Sequence, residues 1–129
     1  MESVSIRIPA SPQYLGVLRL VAAGLAARLR FTLEDIEDLK IAVDELSAYI
    51  TGSQGRAGTM DVRFSVGDDR IEIHGRAELE PGHKVRTDLT EFSQMILETV
   101  ADSASLTQLD GSPTFDLVKS KKEPAAPLG

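Results

Sequence analysis

The sequence predicts an α+β fold: a two-layer sandwich in which a mixed, mostly antiparallel sheet packs on about three helices. Three observations carry this. Several short stretches alternate apolar and polar residues with the period of a half-buried strand. Other stretches place apolar residues three and four apart, as one face of a helix requires. The order is strand, helix, helix, hairpin, helix, hairpin, which segregates helices from strands that mostly neighbour one another in chain order.

The first strand is "SVSIRIPA", with Val4, Ile6 and Ile8 on one side, Ser5 and Arg7 on the other, and Pro9 at its end. Ser11 and Pro12 read as N-cap and first helical residue, since proline lacks only an N–H that has no partner there. Leu15, Leu18, Ala22, Leu25 and Leu29 give the first helix its stripe, which Gly16 and Gly24 weaken by roughly 1 kcal/mol each. Thr32 with Asp35 three residues on resembles a capping box and opens a second helix. Ile36, Leu39, Val43, Leu46 and Ile50 form its stripe, and Gly52 stops it. The glycine-rich segment 52–58 is a loop. "MDVRFSV" and "RIEIHGRA" make a hairpin around Gly67, Asp68 and Asp69. A polar loop, 77–87, precedes a third helix capped by Asp88 or Thr90, with Phe92, Met95, Ile96, Thr99 and Val100 expected inward. "SLTQLDGSPTFDLVK" turns at Asp110 and Gly111 into a last hairpin. Residues 1–120 thus read as one domain and 121–129 as a disordered tail.

Composition narrows the functional classes. The chain has 129 residues, 42% hydrophobic and 26% charged, the balance of a soluble globular domain. Aromatics are 5% and tryptophan is absent, so the core rests on aliphatic side chains. The net charge of −6, with no basic block before "SKK", argues against direct nucleic-acid binding, which needs clustered Lys and Arg. There is no cysteine, which removes thiolate metal sites and suits a reducing cytoplasm. No signal peptide is evident, and Arg19 and Arg28 interrupt the longest apolar stretch, too short to span a bilayer. His74 and His83 lie nine residues apart in a strand and a loop, so no metal site is expected.

The phrases "IPASPQYLGVLR", "EDIEDLKIAVDEL" and "ADSASLTQLDGSPTFDLVK", in that order across residues 3–120, resemble the anti-sigma-factor serine kinases. These belong to the ATPase superfamily of gyrase, Hsp90 and histidine kinases, and the resemblance implies the histidine-kinase-like ATPase fold. It also implies a cytoplasmic regulator of transcription in stress response. Such a regulator binds a sigma factor, is antagonised by an anti-anti-sigma protein of the STAS type, and forms a homodimer. In the family a Glu and, four residues later, an Asn share one helical face, the Glu as base and the Asn on Mg²⁺. Glu45 falls on the first position and Tyr49 on the second. A phenol is neutral at pH 7 and bulky, a poor ligand for an ion that demands compact octahedral oxygens.

The other family motifs are altered as well. Gly75 survives from the adenine-binding segment, but residues 74–77 hold no acid. By the resemblance, the glycines that open the third helix toward phosphate should fall near Glu91 and Ser93, in a segment, "TEFSQMIL", that holds no glycine. A carboxylate at Glu91 would repel triphosphate, since like charges about 4 Å apart in a partly buried site repel by several kcal/mol. The expected reading is therefore a pseudokinase: an anti-sigma factor without cofactor, which sequesters sigma and releases it by competition. One alternative is an active serine kinase using ATP and Mg²⁺. Another is a sensor whose emptied pocket takes a different small molecule. Glu45 reads first as a solvated helix acid or a partner for a nearby Lys or Arg, with a retained base as the alternative. By the resemblance Arg19 contacts sigma, and a solvated arginine is the equal alternative; Tyr14 and Gln13 would lie at the rim.

Overall fold

The structure is a computed structural model, and it describes residues 1–82 and 84–122. Strand β1 (Glu2–Pro9) is followed by a short 3-10 turn at Pro12–Tyr14, then by helices α1 (Leu15–Arg28) and α2 (Leu33–Thr51). The hairpin β2 (Gly58–Val66) and β3 (Arg70–Leu79) precedes α3 (Glu91–Val100), and β4 (Ser103–Leu109) with β5 (Ser112–Ser120) closes the chain. The five strands form one sheet in the order β1-β2-β3-β5-β4. Every pairing is antiparallel, so the sheet is not the mixed one expected. The helices cover one face. Phe64, Ile71, Ile73, Phe115 and Leu117 of that face meet Leu18, Leu39, Val43, Leu46 and Ile50 in a single core.

Local chemistry explains most boundaries. Ser11 caps only the 3-10 turn, and without a side-chain bond, so α1 proper starts at Leu15. Its buried residues are Leu15, Leu18, Ala22 and Ala26, while Leu25 and Leu29 pack at the margin. Arg30 takes a left-handed conformation (φ 61°), and the N–H groups of Arg30 and Phe31 donate to the Ala27 and Ala26 carbonyls. This is the chain reversal by which helices commonly end. Thr32 Oγ1 accepts from the Asp35 N–H at 3.1 Å, the cap expected for α2. At the other end Arg56 donates to the Tyr49 carbonyl at 2.9 Å and to that of Ile50. It thereby satisfies carbonyls that a helix end leaves orphaned. The β4–β5 turn places Asp110 and Gly111 at φ 52° and 79°, the paired positive angles of a tight hairpin turn.

The expected inner face of α3 is corrected. Phe92 and Met95 do not face inward: they are 71% and 63% exposed, and Ser93, Leu97 and Val100 are the buried residues of α3. Thr90 is its N-cap, and its Oγ1 accepts from the Ser93 N–H. Residues 121 and 122, placed in the expected tail, bond to the domain. The Lys121 N–H donates to the Asp69 carbonyl, the Lys122 N–H donates to Asp35 Oδ2 at 3.2 Å, and Lys122 Nζ pairs with Glu34 at 3.2 Å. The rest of that predicted tail, 123–129, and His83 lie outside the described residues.

A charged cluster lies at this end of the core. Asp35 is fully buried, and Lys119, on the helix-facing side of β5, sits 3.5 Å from it and 3.6 Å from Asp38. Burial pushes the Asp35 carboxyl up. The Lys122 N–H, the Lys119 charge and the Thr32 hydrogen bond outweigh that and hold it below the ordinary carboxylate value.

Candidate functional site

The residues singled out at the α2–α3 junction come together. Glu45 and Tyr49 are four apart on α2, one turn of the same face, and both point at the first turn of α3. Ser93 Oγ lies 2.6 Å from Glu45 Oε1 and 2.8 Å from the Tyr49 hydroxyl. The Thr90 N–H donates to the Tyr49 oxygen at 3.1 Å, and Thr90 Oγ1 lies 3.0 Å from Ser93 Oγ and accepts from the Ser93 N–H at 3.1 Å.

The proton order of this network follows from its acceptor end. An ionised carboxylate only accepts, so the single Ser93 hydroxyl proton goes to Glu45. Tyr49 must then donate to Ser93, which leaves its own oxygen free to accept from Thr90. A directed chain thus runs from the backbone of the α3 N-terminus through Tyr49 and Ser93 to Glu45. Ser93 is buried, and Glu45 and Tyr49 are half-buried, so these bonds form where water competes only in part. The Tyr49 oxygen thereby takes the N–H of the α3 N-cap, one donor at a helix end of the kind that attracts an anion.

The other candidates separate from this cluster. Glu91 is exposed in the first turn of α3, outside the network, where it complements the helix dipole. Gly75 lies mid-strand in β3 opposite Phe115, and a Cβ there would sit 2.1 Å from the Phe115 ring. It is glycine so that this ring can cross the backbone. Neither Glu45 nor Tyr49 lines the groove between α3 and β4 or the groove on α1.

Arg19 does not project freely. Its Nη1 donates to Asp44 Oδ2 at 2.9 Å, tying α1 to α2 beside Glu45. Gln13 and Arg19 line one groove of about 450 Å³ with Val17, Leu20 and Lys40, whereas Tyr14 is exposed but outside its lining. Leu20 is 75% exposed and Val17 half-exposed, so the outer face of α1 is apolar around a paired arginine. The sequence carried a signal for this: "LGVLRLVAAGLAARL" has more apolar residues than one helix face can bury. Thr90 was foreseen only as a cap. His74 Nδ1 pairs with Asp116 at 2.7 Å on the open sheet face. No helix among the described residues is long and apolar enough to cross a membrane.

The chain is similar to proteins of known name. It is 31% identical over 138 aligned residues to the serine-protein kinase RsbW of Bacillus licheniformis, covering 92% of this chain and 85% of that protein. It is 41% identical over 78 residues to the serine-protein kinase RsbW of Bacillus pumilus, and 37% over 75 residues to that of Bacillus subtilis. Those two matches cover 57% and 56% of this chain and span about half of each relative, 48% and 47%. No family model matches. Among solved structures, one holding the RsbU and RsbW domains of a Mycobacterium tuberculosis protein superposes with a TM-score of 0.69 at 15% identity. That match covers all of this chain and 35% of the other, and it shows a shared fold.

Proposed function

The chain belongs to the RsbW family of anti-sigma-factor serine kinases, and from that premise we propose that it is an anti-sigma factor working without nucleotide chemistry. It binds an alternative sigma factor in the cytoplasm and keeps it from core RNA polymerase. A STAS-type anti-anti-sigma protein releases the sigma factor by competing for an overlapping surface, and the binding unit is a homodimer. The interface centres on the outer face of α1, where Arg19, Gln13, Val17 and Leu20 share a groove and Tyr14 stands beside it.

The single observation that carries the nucleotide-free reading is the hydrogen-bond chain from Thr90 through Tyr49 and Ser93 to Glu45. Mg²⁺ and ATP fit these residues poorly. The phenol stands where the family places an amide oxygen, and its proton and acceptor are both engaged. The Glu45 carboxylate is engaged by Ser93, and the first turn of α3 carries Glu91 and Ser93 instead of glycines. Bonds within the protein thus take the place of bonds to a ligand, and α2 and α3 are joined without one.

The test is binding to a panel of purified sigma factors in nucleotide-free buffer, followed by addition of a STAS protein. One alternative sigma factor should bind with a Kd below about 1 µM, unchanged by ATP, and be displaced by the competitor. Binding that requires ATP would overturn the reading. The relatives' name, serine-protein kinase, favours a second reading in which Glu45 is a working base. Transfer of labelled phosphate from ATP to a serine of the STAS protein, abolished by Glu45→Gln, would establish it.

A further inference from the structure

Helix α3 carries two stripes of apolar residues, and the fold buries only one. Ser93, Leu97 and Val100 pack inward, while Phe92 and Met95 are 71% and 63% exposed. A serine thus takes an inner position, bonded to Glu45 and Tyr49, while a phenylalanine faces solvent. The outer stripe has heptad spacing. Phe92, Met95 and Thr99 stand at i, i+3 and i+7, the positions that form the seam between paired helices. The Thr99 hydroxyl donates to the Met95 carbonyl at 2.8 Å, so its polar atom is engaged within the helix. With about 3.6 residues per turn, half-buried Ile96 flanks the seam on one side, and Glu91 and Glu98, seven residues apart, flank it on the other. Both glutamates are exposed and form no ion pair among the described residues, and α3 itself holds no Lys or Arg.

We propose that the outer stripe of α3 is a docking site for an amphipathic helix of a protein partner, apolar along its centre and basic along one border. Charge complementarity selects that occupant. A helix laid along α3 sets its own apolar residues, three and four apart, among Phe92, Met95 and Thr99. The border of that helix facing Glu91 and Glu98 recurs every seven positions, so two Lys or Arg residues at that spacing meet both carboxylates. Its other border meets Ile96 and stays apolar. Positions three, four and seven apart share one helical face, so the apolar and basic contacts are made together by one side of the incoming helix. A second copy of α3 suits the stripe less well: it brings no cation, and antiparallel pairing would set glutamates against glutamates. No residue of the stripe lines the α1 groove, so the proposal stands independently of sigma binding.

The probe is a labelled three-heptad peptide with Leu at the seam positions and Lys along both borders, which serves either chain direction. Its Glu-for-Lys counterpart is the control, and each is added to the full chain. Affinity is read by fluorescence anisotropy, and location by NMR of the methionine methyl groups, of which the chain has three. The Lys peptide should bind with a Kd on the order of 10 µM, as suits a contact along about three helical turns. It should shift the Met95 methyl and leave those of Met1 and buried Met60 in place. The Glu peptide should bind at least about tenfold more weakly. Phe92→Gln, an exposed change that leaves the fold intact, should weaken binding about tenfold. Glu98→Lys should weaken the Lys peptide and strengthen the Glu peptide, each about threefold or more. Leu109→Gln, at the exposed end of β4, should alter binding less than about twofold. The proposal is overturned if the two peptides bind equally, or if the Met95 methyl does not shift with peptide at up to about 1 mM. It is overturned as well if Phe92→Gln and Leu109→Gln act alike. A Met95 methyl that shifts on dilution of the peptide-free chain would also overturn it, because a second copy then covers the stripe.

Discussion

Replacing Tyr49 with phenylalanine removes one oxygen and leaves the ring. That oxygen accepts from the Thr90 N–H at 3.1 Å and lies 2.8 Å from Ser93 Oγ. Each such bond contributes about 0.5–1.5 kcal/mol net. Thr90 is exposed, so water takes over its N–H at small cost. Ser93 is buried, but it keeps its bonds to Glu45 and Thr90. The two losses together come to about 1–2 kcal/mol rather than the larger penalty of an orphaned buried group. In a chain of this length that lowers the Tm by roughly 3–8 °C. The effect should be local as well as global: amides in the first turn of α3 should exchange about tenfold faster for each 1.4 kcal/mol lost in local opening. Thermal unfolding and residue-resolved exchange together make the assay. A stability change below about 0.3 kcal/mol, with unchanged exchange at Thr90 and Ser93, would refute the claim that this network joins α2 to α3.

Other residues give independent expectations. Asp35→Asn breaks a buried ion pair and should cost about 2–4 kcal/mol at pH 7, measured by urea unfolding. Because the folded carboxyl lies below its unfolded value, its contribution is fully present above the unfolded value, near 4, and is lost as pH falls through the folded one; the gap between wild type and variant should therefore close in acid. Gly75→Ala forces a methyl into the Phe115 ring and should destabilise by about 1–3 kcal/mol, with Phe115→Leu in the same chain recovering part of the loss. Arg19→Ala should weaken sigma binding at least about tenfold while changing stability by less than about 1 kcal/mol, since its bond to Asp44 is partly solvated. A loss of affinity under about twofold would remove Arg19 from the interface.

Local patterns carried most of the architecture. The cap at Thr32, the turn at Asp110 and Gly111 and the period-two strands all follow from interactions within a few residues, and all lie where the sequence indicated. The sequence placed Glu45 and Tyr49 on one helical face, but it read Glu45 first as a solvated acid or a partner for a basic residue and did not foresee the bonds from both to Ser93. Long-range partners decided what was missed. The segment "EFSQMIL" offers overlapping apolar stripes, and hydrophobicity alone favoured Phe92 and Met95 as the inner one. The bonds that Ser93 makes across to α2 go with the opposite phase. Nothing local marks Lys119 or Lys122 as the partner of a buried acid. Their partner, Asp35, is distant in sequence and is brought to them only by the packing of α2 against the end of β5.

The central claim is that protein side chains replace the nucleotide at the α2–α3 junction. Calorimetric titration of the full chain with ATP and Mg²⁺, carried into the millimolar range, tests it most directly. No heat of binding and no thermal shift are predicted. Saturable one-to-one binding, reduced by Glu45→Gln, would contradict the account and return the junction to a nucleotide site.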